Sequence, residues 1–201
     1  MRIAWRALSL EIKNEQPTPK HILDVEFLLM VRQETDIPIL AWREPEWKYV
    51  PTLLPAFEAE AAAAEQGDEA AWNFAWAIRH AFFYESRTIC TRFELAKVAQ
   101  EADLDIDQFL ESWDSGRHRR TVLEESHRGW EELKVQGSPT FVLPSGKHVW
   151  NPGAASMKWG RRFSVAEWHP AECPDGDCLQ PFRAMLDEVI AGDAVQDLGR
   201  S

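Results

Sequence analysis

The spacing of apolar positions changes period along the chain. Residues 2–10 (RIAWRALSL) mix apolar and β-favouring side chains without helical spacing and run into a polar stretch holding Pro17 and Pro19, which predicts a strand. From His21 to Leu133 the pattern is helical, cut by Pro38, Pro45, Pro51 and Pro55 and by Gly67 and Gly116. The run from Phe57 to Gln66 (FEAEAAAAEQ) consists of strong helix formers. Ala71, Ala75, Ile78 and Phe82 then recur on one helical stripe, with Trp72, Trp76 and Phe83 beside it. A helix apolar over so much of its circumference belongs at the centre of a bundle.

Further helices are expected at Arg92–Glu101, with Phe93, Ala96 and Ala99 inward, and from Asp105-Ile106-Asp107 up to Gly116, burying Ile106, Phe109, Leu110 and Trp113. Another runs from Arg119 to Leu133, along Leu123, His127, Trp130 and Leu133. After Gly137 the period becomes extended. Pro139–Leu143 is a strand, Pro144-Ser145-Gly146 a turn, and Lys147–Trp150 the hairpin partner. Residues 154–180 read as irregular. A last helix opens at Pro181, buries Phe182, Met185, Leu186, Val189 and Ile190, and stops at Gly192. Strands at both ends with helices between them imply a small α/β core carrying a helical insertion.

Composition narrows the function. The formal net charge is −11, which argues against a nucleic-acid or anionic-membrane partner. No apolar run approaches the ~20 residues of a membrane span, and the N-terminus lacks the uninterrupted apolar region of a signal peptide, so a cytoplasmic location is expected. Ten tryptophans point to a large buried aromatic area or an aromatic-lined pocket.

The chemistry-bearing residues are few. Pro139 opens a strand after Gly137 and Ser138; a cis peptide bond suits that place, and so does an ordinary trans entry. In the cis form Ser138 leaves main-chain groups facing outward, able to bind an extended peptide or the peptide-like part of a thiol. Cys173 and Cys178 flank Pro174-Asp175-Gly176, a turn able to bring them within disulfide distance. A disulfide or redox pair is preferred there over two reduced thiols on a surface loop. A metal site recruiting His169, Asp175 and Asp177 has no common zinc spacing, and no metal is expected. Cys90 reads as a small buried hydrophobe and Arg117-His118-Arg119-Arg120 as a solvated face. His80 and His127 read as hydrogen-bonded core or boundary residues. Trp150, Trp159 and Trp168 either line a pocket for a flat substrate or pack a core.

Gly137-Ser138-Pro139-Thr140-Phe141-Val142, followed by a hairpin and a terminal helix, resembles the second half of the DsbA-like branch of the thioredoxin fold. The opening strand ending in Ser9-Leu10, then Asn14-Glu15, then a long helical insertion, is similar to members of that family that work with low-molecular-weight thiols. The stretch from Phe82 through Cys90 to Phe109 resembles the family's insertion. The resemblance covers most of residues 1–150 and the terminal helix.

It implies an α/β, thioredoxin-like core with a large helical insertion. The core is discontinuous (1–16 and 134–192), the insertion is 17–133, and 193–201 form a C-terminal tail. It implies thiol–disulfide exchange, with Ser138, Pro139 and Thr140 holding the substrate or thiol and Cys173 and Cys178 as a second pair. No bound cofactor is implied beyond a low-molecular-weight thiol as co-substrate; the partners are a small thiol or a disulfide-containing substrate, with a homodimer also expected. In the family the nucleophilic cysteine sits in a Cys-x-x-Cys or Cys-x-x-Ser motif, after a first strand that precedes the one matching residues 2–10. This sequence contains no Cys-x-x-Cys. The expectation is therefore an N-terminally incomplete enzyme lacking the first strand and first helix, with residues 2–10 in the same sheet as the hairpin. Other readings are a small-thiol-dependent isomerase or nitroreductase of this fold, or a binding protein that has lost the redox site.

Overall fold

The computed structural model describes residues 3–33, 36–171, 173 and 176–198. The chain divides into two compact units, residues 5–132 and residues 1–4 with 133–201.

The first unit is helical: α1 (Leu10–Asn14), α2 (Lys20–Gln33), α3 (Leu54–Ala64), α4 (Asp68–Phe83), α5 (Arg92–Glu101), α6 (Ile106–Asp114) and α7 (Arg117–His127). Local signals set the boundaries. Pro55 sits in the first turn of α3, where its missing N–H costs nothing. Thr91 caps α5 by accepting the Glu94 N–H (3.4 Å), and Asp105 caps α6 by accepting the Gln108 N–H (3.0 Å).

The centre of the bundle is α3 rather than α4. Ala59, Ala62 and Ala63 are wholly buried, and α4, α5, α6 and α7 all pack on this helix. Alanines let neighbouring helices approach closely, which two indoles would prevent. In α4 the buried face is Phe74, Ile78, Ala81 and Phe82, while Trp72 and Trp76 point to solvent, 45% and 60% exposed. The buried stripe of α5 is likewise Leu95, Val98 and Ala99, leaving Phe93 75% exposed. In each case two apolar stripes share one helix, and the partner helix selects between them.

Helix α7 is followed by a π-helical turn, Arg128–Glu132. Its buried residues are Val122, Ser126, Gly129 and Trp130: Trp130 is buried as expected, while Val122 and Ser126 take the places expected of Leu123 and His127. Counting apolar positions misses Ser126, a polar residue that is buried because its hydroxyl is fully used.

That hydroxyl explains a larger departure. Residues 3–9 form no strand, and the hairpin sheet has two strands among the described residues. The opening segment lies along α7 instead. Ala7 N–H donates to the Glu125 carboxylate (2.8 Å) and Ser9 N–H to Ser126 Oγ (3.1 Å), while the Ser126 hydroxyl donates to the Ala7 carbonyl (3.3 Å). Trp130 Nε1–H donates to the Ser9 carbonyl (2.9 Å), and Ser9 then caps α1. Side chains of one helix thus satisfy donors that a sheet would otherwise take up.

The second unit holds β1 (Thr140–Val142) and β2 (His148–Trp150) in one antiparallel hairpin, β3 (Ser156–Trp159) and β4 (Val165–His169) in another, and α8 (Gln180–Leu198). The β3–β4 hairpin lies where irregular chain was expected. Charged residues hide its alternation: Met157 and Trp168 pair across the strands beside a Lys158–Glu167 ion pair at 2.9 Å. Helix α8 does not stop at Gly192 but continues to Leu198, into the expected tail. An internal glycine costs a helix only about 1 kcal/mol. The first hairpin docks on α8 through a T-shaped Phe141–Phe182 contact and a Lys147–Glu188 ion pair at 2.6 Å.

Candidate functional site

The entrance to β1 is built around Gly137. A Cβ on this residue would lie 2.7 Å from Trp150 Nε1, so the indole closes over the glycine. The Thr140 hydroxyl donates to the Gly137 carbonyl at 2.5 Å, tying the loop into a tight turn. The Ser138–Pro139 peptide bond is cis. Ser138 and Pro139 are exposed, and Ser138 hydrogen-bonds to no other described residue.

Register fixes which main-chain groups of β1 face outward. The Pro139 carbonyl accepts from Asn151 N–H (2.9 Å), Phe141 stands opposite Val149, and Leu143 N–H donates to the Lys147 carbonyl (2.9 Å). These odd-numbered residues are the hydrogen-bonded positions of the antiparallel pair. Hydrogen-bonded and non-bonded positions alternate, so the N–H and C=O groups of Thr140 and Val142 point to the opposite edge. No strand covers that edge among the described residues, and Val142 is exposed.

Cys173 and Cys178 form a disulfide. Of the expected turn between them, Pro174 and Asp175 lie outside the described residues. Gly176 is in the left-handed region (φ +78°), and its N–H donates to the Cys173 carbonyl at 3.0 Å. The Asp177 carboxylate accepts the Leu179 N–H (3.1 Å) and pairs with Arg183, whose guanidinium holds the carboxyl below its usual range. These bonds fix the loop at the start of α8. Cys178 is exposed and Cys173 half-buried. The loop also rests on the turn after β2: a Cβ on Gly153 would lie 3.2 Å from Phe182 and 3.3 Å from the Cys178 carbonyl. Hairpin, turn and disulfide therefore form one continuous contact series within this unit.

The other candidate residues fall elsewhere. Cys90 is a free, half-buried thiol against the helical core, and burial raises its pKa, so the reactive thiolate is disfavoured. Each basic residue of 117–120 has an acidic partner: Arg117 and His118 with Glu65, Arg119 with Glu58, Arg120 with Glu124. His80 and His127 are exposed, not core residues; His80 lies 3.6 Å from Glu85 and stacks on Tyr84. His169 lies 3.6 Å from Glu167, and no metal-holding cluster of His, Cys, Asp or Glu is present among the described residues. Trp159 is exposed, Trp168 is half-buried opposite Met157, and Trp150 is the indole over Gly137. The outward parity of Thr140 and Val142 went unread in the sequence, although the turn at residues 144–146 fixes the pairing that sets it.

A family model described as thioredoxin matches residues 20–153, about two thirds of the chain. The chain belongs to this thioredoxin family, and its class is an α/β, thioredoxin-like fold with helical elements. The match runs from α2 through the β1–β2 hairpin and includes Gly137–Thr140. The family-level function is thiol–disulfide exchange. No curated protein matches the chain significantly.

Proposed function

We propose that the chain is a thiol–disulfide oxidoreductase of the DsbA-like kind. In this reading Ser138, Pro139 and Thr140, with Val142, hold a thiol- or disulfide-bearing substrate against the open edge of β1, and Cys173–Cys178 is the disulfide that exchanges with it. The observation that carries the reading is the outward-facing main chain of Thr140 and Val142, in the unit that also holds the paired sulfurs. An extended substrate adds to such an edge by main-chain hydrogen bonds.

The exchange balances in two steps. A substrate thiolate attacks the exposed Cys178 Sγ, a new substrate–sulfur bond forms, and the Cys173–Cys178 bond breaks with Cys173 leaving as thiolate. A second substrate thiolate attacks the substrate sulfur of that mixed disulfide, releasing the substrate disulfide and the Cys178 thiolate. Two electrons pass from two thiols to the protein, and both cysteines then take up protons. A disulfide substrate runs the same steps in reverse.

The test is turnover of a peptide disulfide by the reduced protein, compared with Val142→Pro. Proline removes the outward N–H of Val142 and leaves the bonds to β2 in place. Loss of about one hydrogen bond to substrate raises KM roughly fivefold to tenfold with little change in kcat. Equal KM values for both proteins overturn the assignment of the edge. One observation favours a second reading, a binding protein without turnover: the sequence holds no Cys-x-x-Cys. Peptide binding without disulfide reduction selects it.

A further inference from the structure

Helix α4 presents an aromatic stripe to solvent. Trp72, Trp76, His80 and Tyr84 recur every four residues, and all are exposed. Trp5 extends the stripe at one end, its ring centroid 5.6 Å from that of Trp72 and itself 56% exposed. Trp72 and Trp76 meet edge to face at 6.2 Å, and His80 stacks on Tyr84 at 4.9 Å. Twelve helical residues span about 18 Å, the reach of five or six extended residues. Isolated exposed apolar side chains need no explanation, but a contiguous aromatic row is a mark of an interaction surface.

Charge identifies the partner. The unit bearing the stripe, residues 5–132, holds 25 acidic against 14 basic residues, whereas the other unit holds eight of each. The whole excess of negative charge therefore lies on the helical unit. On the stripe itself Glu69 is exposed one turn before Trp72 and forms no ion pair with a described residue. The cations nearby are engaged: Arg6 with Glu125, Arg79 with Glu60, and Arg43 against Tyr84. Indole faces attract guanidinium groups, and a negative field draws them in.

We propose that the Trp5–Trp72–Trp76–His80–Tyr84 stripe docks an extended, arginine-bearing peptide segment, with guanidinium groups stacked on the indoles and paired with Glu69. This surface is independent of the exchange chemistry assigned to the other unit.

The test is fluorescence-anisotropy titration of the full chain with fluorescein-labelled Gly-Arg-Gly-Arg-Gly-Arg-Gly, alongside the same peptide carrying citrulline for arginine. The arginine peptide binds and the citrulline peptide does not. In Trp72→Leu/Trp76→Leu the Kd rises about tenfold, and in Glu69→Gln about threefold. Trp76→Leu alone, at an exposed position, gives an intermediate loss and guards against misfolding of the double variant. No binding, or the same Kd in the tryptophan variants, overturns the proposal. So does concentration-dependent self-association of the protein that the same substitutions abolish, which would assign the stripe to a second copy of the chain.

Discussion

The indole of Trp150 stands where any side chain on Gly137 would have to go, 2.7 Å from the position of its Cβ. This pair joins the end of β2 to the loop that opens β1. Gly137→Ala pushes the ring outward, and because Trp150 is half-exposed the ring has room to yield. The expected cost is about 1 kcal/mol, with increased exposure of the indole seen as a red shift in fluorescence. A double-mutant cycle with Trp150→Ala should recover most of that loss, since the clash disappears with the ring. An additive cycle would mean that the two residues do not communicate.

Ser126 binds the opening segment to α7 by accepting from Ser9 N–H and donating to the Ala7 carbonyl. Ser126→Ala leaves the Ser9 N–H buried without its acceptor, at a cost of about 1–3 kcal/mol. Hydrogen exchange at Ser9 should accelerate by at least tenfold while α3 is unaffected. Unchanged protection at Ser9 would show that the segment is held by other means.

Much of this architecture was legible in the sequence. Asp105 and Thr91 announce the starts of α6 and α5, and Gly146 announces the hairpin turn, because capping and turn chemistry are local. The Cys173–Cys178 pair was preferred in the sequence from its spacing and the turn between, with two reduced thiols as the alternative, and the disulfide is present. What escaped depends on contacts distant in sequence. Residues 3–9 have the composition of a strand, but Ser126 and Glu125, more than a hundred positions away, take their donors. Either apolar stripe of α4 would serve as a core face, and the alanine-rich buried face of α3 selects Phe74 and Ile78 over the tryptophans. The β3–β4 hairpin is stabilised by one Met157–Trp168 pair and an ion pair, too sparse an alternation to stand out.

Glu65 makes the fold sensitive to acid. A side-chain hydrogen bond from Arg117, with further bonds from Ser112 and the charges of Arg117 and His118, holds its carboxyl at about 2, against an ordinary 4.5. A carboxyl with a depressed folded-state pKa contributes stability that is complete above the unfolded value. That stability drains away as pH falls from 4.5 through 2. Glu65→Gln should therefore lower Tm at neutral pH and flatten the acid limb of the Tm–pH profile across that window. A limb as steep as in the parent protein would place the acid sensitivity in other carboxylates.

The chain has three cysteines and one disulfide, Cys173–Cys178. Denatured without reductant, it should show one thiol, Cys90, and after reduction all three. Closing so short a loop is worth about 2 kcal/mol, so reduction should loosen the start of α8 and leave the helical unit unchanged. Three titratable thiols that persist after treatment with oxidised glutathione would show that Cys173 and Cys178 do not pair.

The most direct measurement is the redox equilibrium of Cys173 and Cys178 in buffers of reduced and oxidised glutathione, read by alkylation and mass spectrometry, with Cys173→Ser used to trap the mixed disulfide. The expected result is reversible interconversion across physiological glutathione ratios, with glutathione captured on Cys178 in the variant. A disulfide that stays intact at every ratio, in a protein whose Cys178 captures no glutathione when left unpaired, would contradict thiol–disulfide exchange at this site.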